Sequence, residues 1–390
     1  MREQTDVSRE LVIWHEFDGP GDTSIEVLEQ LCREYSQSHG IQVTPQVMNI
    51  TELESRLYDV ASTGEGPHMA FVPADMTGFG MRSRYSIVPP EICNLVESFG
   101  SESLVSMQLE GQQYGVPVLK GNHLVLYYNN EIYPEAPASW EEIRENGTEL
   151  ISKGIIPIAG DFEQPYWFIP FLTAFGGWPL KEGRPNFLNH EMKLALQFVY
   201  DQAEEGLLES MNGSIELLER FIAGEVGAIV CGEWIFNYLD GQLGQKLGVG
   251  SLPSVQGRTS ISMSSSIGLV YPNDSLESEL REDILSFTSF MLSEASQWAW
   301  GTQVQRIPIH PAVLEQLMDT VSYTRRELIS LQKGSRYIPI SPYMNAVWKS
   351  IQAGLQLLLQ QGVSIAFHTM EQTYWNELKQ DNSLREKVEQ

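Results

Sequence analysis

Apolar runs and amphipathic stretches alternate along the first part of the chain. Apolar runs at 11–17, 41–48 and 68–72 predict strands, and the segments between them repeat apolar residues at helical spacing. The first of these helices has a predicted capping box, Thr23-x-x-Glu26, and ends at Gly40. Strand, helix, strand, helix, strand in so short a span predicts right-handed βαβ crossovers and a mainly parallel sheet flanked by helices.

The segment from Gly111 to Ile143 predicts a passage of the chain from one sheet into another. Val116–Leu119 is kept extended by Pro117, and Lys120-Gly121-Asn122 then interrupts the apolar pattern with a polar step. Leu124–Tyr128 is a continuous apolar and aromatic run, which is typical of a strand buried on both faces. A new helix is predicted from the capping box at Ser139.

Chain length and further polar breaks predict two lobes. A chain of 390 residues exceeds a usual single domain, so each lobe has room for its own core. We predict one lobe from 1–119 with 267–319 and a second from 120–266 with 320–390, with crossings near 117–123, 260–266 and 317–322. Helices at 345–360 and 364–379 are predicted to pack on the second lobe.

Composition and charge remove several classes of function. The net charge of −26 disfavours nucleic acid and anionic membrane surfaces as partners. The 3 cysteines and 7 histidines show no metal-binding spacing, and we expect neither metal nor cofactor. Cys32 and Cys231 lie in apolar patterns and are predicted to be buried thiols, with one disulfide left open. The polar start at Met1–Gln4 indicates a mature or trimmed chain without an export signal.

Aromatic and polar residues follow several of the predicted strands, and they are the candidates for a binding site. Sugars are recognised by aromatic rings that stack on the apolar faces of pyranose rings, and by polar groups that bond to the hydroxyls. The candidates are Glu16, Asp18, Asp75, Lys120, Gln164, Tyr166, Trp167, Glu233, Trp234, Tyr343 and Trp348.

Structural roles compete with binding at several of these positions. Glu16 and Asp75 could cap a following helix, Lys120 could be a solvated hinge residue, and Trp348 could belong to the core. Tyr166 and Trp167 follow a predicted strand and are placed in a loop, where a binding role is favoured. Trp298 and Trp300 have helical spacing and are assigned to the core.

Three motifs in the passage segment resemble those of a known family. They are Tyr114-Gly115-Val116-Pro117, Leu126-Tyr127-Tyr128-Asn129 and Pro137-x-Ser139-Trp140-Glu141-Glu142-Ile143. The series resembles the crossing segment of the maltose-binding-protein-like extracytoplasmic solute-binding proteins, and the similarity runs from about Leu11 to Lys379. The resemblance implies a periplasmic-binding-protein-like fold that closes by hinge motion on a di- or oligosaccharide held between its lobes. It further implies a monomer, without a cofactor, that delivers the sugar to ABC transporter permease subunits from the periplasm or a cell-surface lipid anchor.

The resemblance carries over to individual site residues only in part. Gln164-Pro165-Tyr166 matches the family's Glu-Pro-Tyr segment with an amide in place of the acid, and Gly232-Glu233-Trp234 matches Gly-Pro-Trp at two positions. Met344-Asn345-Ala346-Val347-Trp348 matches Met-x-Ala-x-Trp, whereas only Asp75 remains of Trp-Ala-x-Asp-Arg. The acid at the crossing is replaced around Lys120-Gly121. These departures concern maltose itself and not the class of protein.

A glycoside hydrolase is the competing hypothesis, because acidic residues are abundant near the predicted strand ends. No catalytic carboxylate pair, nucleophile elbow, phosphate-binding loop or metal motif is recognisable in the sequence. A solute-binding sensor for a ligand other than sugar is a further alternative. The sequence therefore predicts a non-enzymatic binding protein.

Overall fold

The computed structural model describes residues 9–80, 83–100, 104–211 and 215–380. The predicted start at Met1–Gln4 and the last residues of the predicted second lobe, 381–390, lie outside these ranges. The chain folds into two compact units, Met1–Lys120 with Ser265–Thr320 and Gly121–Ser264 with Val321–Gln390. It passes between them after Lys120, after Ser264 and after Thr320. That the units are lobes that move about these crossings stays a prediction.

Strands and helices alternate along the chain in an α/β arrangement, which confirms the predicted fold class. The strands are β1 (Glu10–His15), β2 (Gln42–Val47), β3 (Met69–Pro73), β4 (Gln108–Leu109), β5 (Gln112–Gln113), β6 (Gly115–Lys120), β7 (Leu124–Asn129), β8 (Ile156–Gly160), β9 (Leu180–Lys181), β10 (Arg184–Pro185), β11 (Leu208–Ser210), β12 (Val226–Gly232), β13 (Leu247–Gly250), β14 (Met263–Ser264), β15 (Ile267–Val270), β16 (Ile307–Pro308) and β17 (Arg336–Tyr337).

The α-helices within the described ranges are α1 (Ser24–His39), α2 (Ile50–Thr63), α3 (Pro90–Glu97), α4 (Trp140–Ser152), α5 (Pro165–Ala174), α6 (His190–Glu204), α7 (Ile215–Ile222), α8 (Phe236–Leu243), α9 (Arg281–Met291), α10 (Glu294–Gln303), α11 (Pro311–Thr320), α12 (Tyr323–Leu331), α13 (Met344–Gln361) and α14 (Val363–Gln380). The last two are the helices predicted at 345–360 and 364–379, and both lie in the second unit.

The first unit is built on a six-stranded sheet in the order β16-β6-β15-β3-β1-β2. The three strands at one end, β3, β1 and β2, are parallel, as the βαβ pattern predicts. Two later strands run in the opposite direction. Strand β15 is antiparallel to both β3 and β6, and β16 is antiparallel to β6. The sheet is therefore mixed, although four of its strands, β2, β1, β3 and β6, run in one direction. Buried apolar runs are typical of central strands in either direction, so the pattern does not specify the direction.

The second unit is built on a five-stranded sheet in the order β11-β8-β12-β7-β13. The strands β11, β8 and β12 are parallel, and β7 is antiparallel to both β12 and β13. This sheet is mixed as well, although only β7 runs against the direction of the other four strands. Leu328 of α12 and Phe236 of α8 are fully buried in the apolar cluster of this sheet.

Two predicted helix starts differ in outcome. At α4 the Ser139 hydroxyl accepts the backbone N–H of Glu142 at 3.2 Å, so the predicted cap is present. At α1 the side chain of Thr23 makes no capping hydrogen bond, and the Asp22 carboxylate instead accepts the N–H of Ser24 at 2.8 Å. The capping box predicted at Thr23 is wrong, since the neighbouring carboxylate takes the role.

None of the three cysteines, all within the described ranges, forms a disulfide. Cys32 and Cys231 are buried, as predicted, and burial raises the pKa of each thiol to about 12. Both thiols are therefore protonated at neutral pH and pack as small apolar side chains.

Candidate functional site

The carboxyl end of β12 places Glu233 and Trp234 directly after a strand that is buried along its whole length. A short 3-10 helix over Glu233–Ile235 turns the chain and folds the Trp234 ring back onto Gly232. A Cβ atom at Gly232 would lie only 1.9 Å from the Trp234 ring, so glycine is required for this close approach. The position of the Trp234 ring is therefore set by the backbone beneath it.

Tyr166 and Trp167 lie in the first turn of α5, so their predicted placement in a loop is wrong. Pro165 occupies the start of this helix, where its missing N–H costs no hydrogen bond. The indole N–H of Trp167 donates to the carbonyl of Val230 on β12 at 2.9 Å. Helix α5 thus presents both aromatic side chains beside the end of β12.

Tyr166, Trp167 and Trp234 form a group that we call the aromatic cluster. The ring centroids of Trp167 and Trp234 are 5.9 Å apart at 86°, and those of Tyr166 and Trp167 are 6.1 Å apart at 71°. All three side chains are half-buried. Edge-to-face contacts of this kind fix each ring while leaving part of its surface exposed. The sequence separates Trp234 from the other two by more than sixty residues, and the fold brings them together.

Trp167 also lines a small, mostly apolar cavity within the second unit. Its other lining residues are Trp140, Phe162, Pro170, Phe171, Val230, Leu252, Pro253 and Ser260. Only the hydroxyl of Ser260 brings a polar side chain to this wall. The cavity therefore extends the apolar surface next to the aromatic cluster.

Gln164 contacts helix α13, which also carries Trp348. The side-chain oxygen of Gln164 accepts a hydrogen bond from the amide of Gln352 at 3.2 Å. Gln352 lies one turn after the half-buried Trp348 on the same helix face. Tyr343 lies just before this helix and is buried. Burial raises the pKa of Tyr374 to about 12, and the nearby Tyr343 contributes to this rise.

Buried polar groups surround the base of the aromatic cluster. The Glu233 carboxylate accepts the backbone N–H of Asn122 at 3.2 Å, and the Tyr166 hydroxyl donates to the carbonyl of Asn122. The backbone N–H of Glu233 donates to the carbonyl of His123 at 3.0 Å. Burial lowers the pKa of His123 to about 4, so its imidazole is neutral at neutral pH. Asn122 and His123 were not predicted from the sequence, because neither residue type stands out in a polar turn.

The first unit gathers carboxylates at the carboxyl ends of β1 and β3. Burial raises the pKa of Glu16 well above its usual range, and the charges of Asp22, Asp75 and Asp18 raise it further, while Arg306 lowers it. The charges of Asp18 and Asp75 thus both reach the carboxyl of Glu16. Partial desolvation and Asp22 raise the pKa of the exposed Asp18. In the described ranges, no three His, Cys, Asp or Glu side chains are arranged to hold a metal ion.

Lys120, the remaining candidate, is the last residue of β6 and is half-buried. It pairs with Ile307 of β16 in the sheet of the first unit. From the sequence, Lys120 was predicted to begin the second lobe, in the polar step after this strand, whereas it is the last residue of the strand and belongs to the first unit. Its part in ligand binding stays a prediction.

Comparison with known families decides the class of this protein. The sequence profile of the family described as bacterial extracellular solute-binding protein matches residues 30–327, which is well over half of the chain. The chain belongs to this family. Its fold is therefore that of a two-lobed, periplasmic-binding-protein-like solute-binding protein, and its role is to bind a solute outside the cytoplasm for ABC-type import.

Membership of this family also bears on the hydrolase hypothesis. Its members are binding proteins and typically have no enzymatic activity. In the part of the chain that the structure describes, no helix combines the length and hydropathy needed to cross a bilayer.

Replacing Glu16 by Gln is expected to stabilise the first unit of this solute-binding protein at neutral pH. The folded protein holds the pKa of Glu16 above its ordinary value of 4.5, so ionisation favours the unfolded chain as the pH rises above that value. The stabilisation should be large at pH 7 and should vanish below pH 4, where the carboxyl is protonated in both states. Urea denaturation at both pH values measures it.

Glu65→Gln is the control, because Glu65 is exposed in the loop that follows α2 in the same unit. Its effect on the free energy of unfolding should be small at both pH values. A Glu16→Gln protein that is less stable than the wild type at pH 7 would show that the ionised carboxylate makes favourable contacts, contrary to this expectation.

Proposed function

We propose that this extracellular solute-binding protein binds a di- or oligosaccharide and delivers it to the permease subunits of an ABC importer, without chemical change. The observation that carries the proposal is the aromatic cluster. Three partly exposed rings at the end of β12 and the start of α5 suit the apolar faces of pyranose rings. Gln164, with its amide, and Lys120 are the polar side chains proposed to meet sugar hydroxyls.

The proposed mechanism is a shift between an open and a closed form. The sugar favours the closed form by the additional contacts that it makes there, and the closed form docks on the permease. This step of the proposal rests on the family and on the three passages of the chain between the units. We further propose that the protein acts as a monomer, in the periplasm or as a lipid-anchored protein at the cell surface.

A thermal-shift screen tests the substrate class. The probes are maltose, maltotriose, trehalose, sucrose, cellobiose and xylobiose, with spermidine, glycine betaine and amino acids as non-sugar solutes. A ligand at 100 times its dissociation constant stabilises the folded state by about 2.7 kcal/mol, so a sugar that binds raises the melting temperature clearly. A shift with a non-sugar solute alone would overturn the sugar proposal. Release of reducing ends from a bound oligosaccharide would favour the hydrolase instead.

Replacing Trp234 or Tyr166 by Ala is expected to weaken binding of the sugar found in this screen by about 1–3 kcal/mol. Each substitution removes one ring of the aromatic cluster and its contact with the pyranose. Isothermal titration calorimetry measures the change in dissociation constant. Trp375→Ala is the matched control, because Trp375 is an exposed tryptophan of α14 in the same unit. Unchanged affinity in both cluster variants would remove the cluster from the binding site.

A further inference from the structure

Glu233 lies beside the aromatic cluster, but its side chain is not placed to meet a ligand. Only 1% of Glu233 is exposed, and Arg325, whose guanidinium feels the charge of Glu233, is 4% exposed. Burial lowers the pKa of Arg325 to about 10, although the charges of Glu233 and Asp240 raise it. Arg325 is therefore still a cation at neutral pH. Burying two charges is costly unless each meets an opposite charge or a hydrogen-bond partner. These two buried charges therefore require an explanation.

The Glu233 carboxylate accepts a hydrogen bond from a turn whose backbone conformation is unusual. Asn122, whose N–H it accepts at 3.2 Å, has a φ of +45°, a left-handed conformation that few residues other than glycine adopt. The next residue, His123, accepts the N–H of Glu233 at 3.0 Å. Glu233 thus holds two successive residues of this turn, one through its side chain and one through its backbone.

Helix α12 holds the same turn from the other side. The imidazole Nε2–H of His123 donates to the carbonyl of Leu328 at 2.9 Å, and a carbonyl acceptor requires the proton on this nitrogen. Arg325 lies one turn earlier on α12, and its backbone N–H is capped by the Ser322 hydroxyl at 3.2 Å. We call the four residues Asn122, His123, Glu233 and Arg325 the buried bracket.

The carbonyl of Asn122 connects the buried bracket to the aromatic cluster, because it accepts the hydroxyl of Tyr166. The Tyr166 ring also lies in the first turn of α5 and contacts Trp167. Because the Asn122 carbonyl accepts the Tyr166 hydroxyl, its direction contributes to where that hydroxyl points.

We propose that Glu233 is a positioning residue, which holds the carbonyl group of Asn122 where it accepts the Tyr166 hydroxyl. It acts on the aromatic cluster without touching its ligand. What the cluster binds rests on the proposed function, whereas the positioning of Tyr166 does not. A charge pair that only stabilised the second unit would leave the surroundings of Tyr166 unchanged when it was altered.

Fluorine NMR on protein labelled with 3-fluorotyrosine tests the proposal without any sugar. The Tyr166 resonance is assigned by its loss in Tyr166→Phe. In Glu233→Gln, which keeps an oxygen acceptor for Asn122 but removes the charge, the Tyr166 resonance should shift or split. In Glu233→Met, which removes the acceptor too, the displacement should be larger. Glu225→Gln is the control, since Glu225 is 3.1 Å from Arg220 in an exposed ion pair of the same unit.

Amide hydrogen exchange at Asn122 is the second measurement. If Glu233→Met does not fold, both measurements can be made on Glu233→Gln alone. Weakening a charged hydrogen bond should speed exchange roughly ten-fold, while Glu225→Gln leaves the rate unchanged. A Tyr166 resonance at its wild-type position in Glu233→Gln, together with unchanged exchange at Asn122, would overturn the proposal and leave the pair a purely stabilising one. Failure of every sugar in the thermal-shift screen would leave this result intact.

Discussion

Replacing Trp300 by Ala is expected to lower the free energy of unfolding of the first unit by about 3–5 kcal/mol. Trp300 lies on α10 with no exposed surface, and its ring is 5.9 Å, centroid to centroid, from each of Phe17 and Phe71. These side chains belong to the apolar core beneath the six-stranded sheet. Removing the indole leaves a cavity at the centre of this core, which relaxes only in part.

Urea denaturation monitored by circular dichroism measures the loss, and the chain offers a matched control. Trp298 lies two residues earlier on the same helix but is 39% exposed, although the sequence analysis assigned both tryptophans to the core. Its replacement by Ala should change the free energy of unfolding by no more than about 0.5 kcal/mol. Equal effects of the two substitutions would contradict the packing described for α10.

Replacing Arg325 by Met is expected to destabilise the second unit by about 3–5 kcal/mol. Methionine preserves much of the length of the side chain but removes the charge that compensates the buried Glu233. The carboxylate of Glu233 would then be buried without that cation, which is more costly than the absence of both charges. Urea denaturation at pH 7 measures the change.

A double substitution separates this charge effect from lost packing. Adding Glu233→Gln to Arg325→Met should restore a substantial part of the lost stability, because no buried carboxylate then lacks a counter-charge. The sum of the two single effects should exceed the effect of the double variant. Strict additivity would show that the two residues do not interact and would contradict the charge pairing.

Local sequence signals predicted much of the regular structure. The caps at Ser139 and Gly40 are correct, because each depends on one residue and its immediate neighbours. The helix that carries Tyr166 and Trp167 was not predicted, because its local sequence lacks a helical pattern. A proline followed by three large apolar residues carries no helical periodicity, and packing against β12 instead stabilises α5.

The candidate site was predictable in its residue types but not in its geometry. Gln164, Tyr166 and Trp234 stand out because strand ends, aromatic rings and family motifs mark them in the sequence. Asn122 and Arg325 carry no such mark. Their importance arises from hydrogen bonds and charges between segments that are far apart in the chain.

By itself, the sequence determined the alternation of strands and helices, the acidic character, and the family of solute-binding proteins to which the chain belongs, since these depend on composition and on short motifs. Only the tertiary structure decided the direction of the strands, the contact between Trp234 and Gly232, and the burial of Glu233 beside Arg325. The physical reason is that each of these depends on pairing between distant segments, where packing and desolvation outweigh local preference.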